Sequence, residues 1–142
     1  MSSKVRSALV QSFVDLAAAN SWDYPIIAEN HPQEPNHSGI WFGLTYIPDI
    51  PDVATLGDGG EDEVRGIFQI DIFTPINTGE KEPQDLIDVM RSYFTAGRRF
   101  SYNQQEVVIT QCGRTDGFIS NNYFRIPLSV IWYSRLIRTI NT

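Results

Sequence analysis

The chain holds one cysteine, Cys112, among 142 residues, so no internal disulfide can form and cysteine alone cannot build a thiolate metal site. Its two histidines, His31 and His37, match no strong metal-ligand spacing. No run of about 18 apolar residues occurs, which argues against a membrane-spanning helix. Residues Met1 to Gln11 lack the basic, apolar and small-residue succession of a secretory signal, so a soluble chain made in a reducing cytoplasm is expected. Basic residues are scarce as well. Eleven against 17 acids leave a formal net charge of −6, the wrong sign for a strong grip on nucleic-acid phosphates.

What is present supports one core. The chain is 42% hydrophobic, with 3 Trp, 6 Tyr and 8 Phe, and its length predicts a single domain over residues 1–142. Charge is segregated along it. From Asp23 to Asp88, 14 acids face only Arg65 and Lys81, a net of −12; from Arg98 to Thr142, six arginines face Glu106 and Asp116, a net of +4. Whether that asymmetry becomes two faces depends on the fold.

Val5, Leu9, Phe13 and Leu16, with Ala8 and Ala17 beside them, recur at helical spacing behind a capping Ser3, predicting a helix from Lys4 to Ala19 that Asn20 ends. Residues 25–30 are a short strand candidate, and Gly39 to Ile47, dense in β-branched and aromatic residues, is a strand. Residues 48–63, with their prolines, glycines and acids, read as a protruding hairpin or mobile loop. Val64 to Phe73 alternates with the period of a sheet that has one wet face. A second amphipathic helix is predicted from Pro83 to Ala96, with Gly97 as its left-handed cap and Arg98 and Arg99 at its negative end. Glu106 to Cys112, Gly117 to Ser120 and Tyr123 to Ile137 complete the strands; Pro127 within the last implies an edge or a bulge. The order predicts an α+β fold, a mainly antiparallel sheet with two helices on one face.

No catalytic, cofactor or metal site is predicted. His31 and His37, with Glu29 and Glu34 nearby, read as a polar loop. Cys112 with a histidine base would make a nucleophile, but a cysteine in a strand pattern is more commonly a buried, inert thiol. The acids Asp58, Glu61, Asp62 and Glu63 lack the alternating ligands and closing glutamate of a calcium loop, and the glycines among them form no phosphate loop.

One succession is distinctive as a whole: the N-terminal helix, Ile27-Ala-Glu-Asn30, the strand with Trp41, Ala54-Thr-Leu-Gly57, Arg65-Gly-Ile-Phe-Gln-Ile-Asp-Ile-Phe-Thr-Pro75 closing on Gly79, and the helix carrying Leu86 to Phe94. Over Val5 to Ile137 it resembles the tail terminator proteins of long-tailed bacteriophages. That resemblance implies a non-enzymatic virion protein. Its copies would form a ring, commonly of six, at the head-proximal end of the tail, capping the tube and offering a surface to the neck of the capsid. The partners implied are the chain itself, the tail tube protein and a head-neck connector, with phage DNA passing through unbound and no membrane involved. A head-closure or tube protein is the neighbouring alternative; an unrelated binding domain or enzyme is the remote one. If a ring forms, the charge asymmetry suggests that Arg98, Arg99, Arg135 and Arg138 face Asp58, Glu61, Asp62 and Glu63 of the next subunit.

Overall fold

The structure is a computed structural model that describes residues 3–28, 39–49, 52–57, 59–79 and 81–137. It contains helix α1 (Ser3–Ala19), strands β1 (Ile26–Ala28), β2 (Trp41–Pro48), β3 (Asp52–Val53) and β4 (Glu61–Pro75), helix α2 (Lys81–Tyr93), and strands β5 (Arg99–Tyr102), β6 (Gln105–Arg114), β7 (Phe118–Ser120) and β8 (Tyr123–Ile137). The strands form one sheet in the order β1-β2-β4-β8-β6-β5, with β3 added beside β4 and β7 beside β8. Among the described strands only β1 and β2 run parallel; the other pairs are antiparallel. The fold is α+β.

The spine is the β4–β8 pair, in register without a break from Glu61↔Ile137 to Pro75↔Tyr123. A strand sends alternate side chains to opposite faces, and here the even-numbered residues go inward. Phe68 faces Val130, Ile70 faces Leu128 and Ile72 faces Ile126, and all six are fully buried. Against them pack Val5, Leu9, Phe13 and Leu16 of α1 and Leu86, Ile87 and Met90 of α2. Both helices therefore cover the same face.

Gly66 opposes Trp132 across this pair. A Cβ there would stand 2.4 Å from the Ile47 carbonyl oxygen and 3.0 Å from the indole, so a side chain is excluded by close approach rather than by backbone conformation. The indole instead stacks on Tyr46, ring centres 5.6 Å apart.

Pro127 lies in a central strand, not at an edge. Its carbonyl accepts the Thr115 N–H at 3.1 Å, just beyond the last β6 pair, Arg114↔Leu128, while β7 meets β8 only from Arg125 onward. In a strand, the N–H and C=O of one residue point to the same side. The proline nitrogen therefore faces the gap between β6 and β7, where no ladder bond is lost. The bulge falls elsewhere, at Thr110, between Ile109 and Gln111.

One further difference from the sequence reading has a local cause. Strand β5 was not anticipated: it is four residues long and turns back through Asn103 and Gln104, both at positive φ (47° and 71°). That is the two-residue hairpin geometry usually signalled by Asn-Gly. Of the two readings of residues 48–63, the structure has the hairpin: β3 pairs with Asp62 and Glu63 at the start of β4, which β8 flanks on the other side.

Candidate assembly surfaces

Of the charged residues singled out in the sequence, Glu61, Glu63, Arg99 and Arg135 lie at one end of the sheet. Because β4 and β8 are antiparallel, the acidic start of β4 lies beside the basic end of β8. Arg135 stands 3.3 Å from Glu61 and 3.7 Å from Glu63. Arg65 reaches Glu63 at 2.7 Å and Asp52 at 3.8 Å. Arg99 pairs with Glu106 across the β5–β6 hairpin. An open cleft of about 750 Å³ at this end is lined by Glu61, Arg99, Glu106 and Arg135 together. At this end the charges of the two segments interleave, because the topology folds the acidic start of β4 onto the basic end of β8.

Arg98 has a different role. Its guanidinium lies 4.2 Å from the Tyr93 ring centre and 5.2 Å from that of Phe100, and it donates to the Tyr93 carbonyl at 3.2 Å. It closes the C-terminal end of α2, where unpaired carbonyls and the helix dipole favour a cation. The helix ends at Tyr93, three residues short of the predicted Ala96, so Gly97, with φ of 88°, does not cap it; it turns the chain beyond the helix and donates to the Ile109 carbonyl of β6. Asp58 and Arg138 lie outside the described residues, as do His31 and His37.

The sheet face away from the helices carries a pair that sequence reasoning missed. Arg125 holds the buried Asp71 at 2.7 Å, and Gln69 donates to the same carboxylate at 2.9 Å. Beside them Trp41 stacks on Phe73 at 3.9 Å, with Tyr123 edge-on to the indole at 5.7 Å. Asp71 and Arg125 both fall on the polar side of an alternating pattern, so their positions read as solvent-facing. The signal that could have found them is the bulk of Trp41, Phe73 and Tyr123 on that same side, which covers the pair.

Exposed apolar side chains gather at the two ends of β4. At its start, Val53 and Leu56 are 62% and 89% exposed. Leu56 is displayed by a held turn: the Ala54 and Thr55 N–H groups donate to the Glu61 carbonyl, and the Glu61 N–H donates to the Thr55 hydroxyl. At the end of β4, Pro75, Ile76, Asn77, Gly79, Ile119 and Phe124 line a groove of about 260 Å³. Ile119 and Phe124 are cross-strand partners in the β7–β8 hairpin.

Burial raises the Cys112 thiol to about 11, opposed weakly by Arg91, so it stays protonated and poorly nucleophilic near neutrality. Among the described residues no group of three or more His, Cys, Asp or Glu is placed to hold a metal ion, and no helix is long and apolar enough to cross a membrane.

The family model described as phage tail terminator protein matches residues 4–132. The chain belongs to the phage tail terminator family. Its role is that of a structural protein of the phage tail. A solved structure whose name carries no functional description is 17% identical and superposes with a TM-score of 0.73, over 97% of this chain and 96% of its own; at that identity it speaks for the fold alone. No curated protein is significantly similar in sequence. In this terminator-family chain, the Arg65 to Pro75 stretch on which the resemblance leans is β4 itself, with Gly66 required by the packing of Trp132.

Proposed function

We propose that copies of this chain close into a ring, of six on the family's pattern, that seats on the last ring of the tail tube, ends its polymerisation and presents its other face to the head neck. The observation that carries this reading is the family match over residues 4–132. It is supported by the arrangement of the exposed surfaces. A ring needs two different patches on each copy, and the two ends of β4 are unlike in shape and composition.

Within such a ring, Glu61, Asp62, Glu63, Arg99 and Arg135 act at a subunit boundary by exchanging partners in the same chain for partners in the next, while Arg98 stays on the end of α2. Exposed pairs of this kind contribute only about 0.2–1 kcal/mol each, so charge sets register and rate while apolar contacts supply affinity. The test is electron microscopy of tail tube protein polymerised with and without this chain. Closed rings at tube ends and shortened tubes are expected. Long cylinders built from the chain itself would assign it to the tube instead, and an unchanged tube-length distribution with bare ends would overturn the reading.

A further inference from the structure

The sheet has an open main-chain edge on each side. Strand β1 closes one side; on the other, β5 and the turn before it reach along β6 only as far as Ile109. A residue in a strand turns its N–H and C=O to the same side. The Phe42 N–H donates to the Pro25 carbonyl, so Pro25 and Ile27 face β2, and Ile26 and Ala28 turn their main-chain groups outward. Likewise the Thr115 N–H donates to the Pro127 carbonyl, so Gln111 and Gly113 face β8, and Cys112 and Arg114 turn theirs outward. Among the described residues no backbone group meets either outward pair. Helix α2 does not close the second edge. Between the two lies an open groove of about 620 Å³, lined in part by Arg91, Phe94, Ala96 and Cys112.

We propose that β1 of one copy pairs antiparallel with β6 of the next, so that one sheet runs from subunit to subunit. The proposal rests on the ring reading above and gives that ring its main-chain joint. A second copy fits the β6 edge because β1 matches it in number, spacing and sense. Each edge offers two outward residues, two positions apart. Strand β1 runs with β2, and the antiparallel steps from β2 through β4 and β8 to β6 leave β1 and β6 opposed. Both helices lie on one face, so the next copy joins without turning its sheet over. The contact is head-to-tail, the kind that yields rings when the rotation closes. One register uses all the open groups: Ile26 opposite Arg114, and Ala28 opposite Cys112. Within one chain the row through Ala28, Leu44, Ile70 and Leu128 arrives at Arg114. Each joint therefore steps by two residues, about 7 Å at roughly 3.4 Å per residue. A sheet that closes on itself requires such a stagger.

The test uses the full chain with Cys112→Ala as background. In the proposed register Ile27 stands opposite Gly113 of the next copy as a non-hydrogen-bonded pair, whose Cα separation of about 4.5 Å suits a disulfide. A Cβ on Gly113 meets nothing within 4 Å, and within one chain β2, β4 and β8 hold the two positions apart. Ile27→Cys and Gly113→Cys are introduced singly and together, oxidised alone and with tail tube protein, and resolved without reductant. Mixed single variants are expected to form a linked pair, and the double variant a ladder ending at the ring number. Ala28→Pro removes an outward N–H that the folded chain does not use; it is expected to lower ring yield about tenfold or more with an unchanged melting temperature. A link from Ile27→Cys to Thr115→Cys in place of Gly113→Cys overturns the register. Closed rings that show no such link and tolerate Ala28→Pro overturn the joint and leave the ring reading standing. Absence of closed oligomers from the unaltered chain under both conditions overturns both.

Discussion

At Gly66 the packing of β2, β4 and β8 leaves no room for one methyl group, because the Ile47 carbonyl and the Trp132 ring close over the Cα. Gly66→Ala should destabilise the chain by about 1–3 kcal/mol, the usual cost of overpacking; the urea unfolding midpoint measures it, and an unchanged midpoint would contradict the packing. Arg125 and Asp71 make a second residue-scale case. Arg125→Ala would leave a buried carboxylate with only Gln69, a loss of about 1–3 kcal/mol after allowing for the partial exposure of the arginine. Restoring a cation with Lys should recover only part of it. Cys112 provides a pH dependence with a definite sign. Burial disfavours the thiolate and pushes the Cys112 thiol up to about 11, above its ordinary value. The stability held by the neutral thiol is therefore full below about pH 9 and declines as the pH rises toward 11. Cys112→Ala should remove that decline and leave tail assembly intact, which unfolding at pH 8 and pH 10 can show.

At the scale of elements, the β5–β6 hairpin turns through Gln104 in the left-handed region, a conformation costing a side-chain-bearing residue about 1–2 kcal/mol. Gln104→Gly should raise stability by up to about 1 kcal/mol, since glycine also gains freedom in the unfolded chain; a fall in melting temperature would mean the turn is otherwise held. The base of the β3–β4 hairpin depends on charge. Arg135→Glu would place a third carboxylate beside Glu61 and Glu63. A loss of about 1 kcal/mol is expected at low ionic strength, shrinking as salt screens the repulsion. The elements themselves were largely legible. Helix α1 and strands β4 and β8 declare themselves by periodicities of 3.6 and 2 over long stretches. Strand β5 did not, because four residues are too few to establish a period, and the Asn103-Gln104 turn lacks the glycine that announces such hairpins.

Over the whole molecule, assembly on the proposed reading should weaken with salt without vanishing, because apolar contacts at the ends of β4 carry the affinity and charge only aligns it. Ring yield by sedimentation at low and moderate salt tests this, and complete loss at moderate salt would mean that ion pairs dominate. Composition and pattern alone determined the α+β fold class, because burial periodicity is local, written in residues two, three or four apart; the tail terminator family entered as a resemblance of the whole succession of segments, not from periodicity. Where the charges end up could not be read the same way. The −12 and +4 segments left open whether the charges form two faces, and antiparallel pairing of β4 with β8 sets Glu61 and Glu63 against Arg135 in one mixed patch. Asp71 and Arg125, 54 residues apart, likewise become a buried pair only through the register of those two strands. Spacing along the chain carries no information about such contacts. Strand order and register decide them, and these are set when distant apolar faces find a common core.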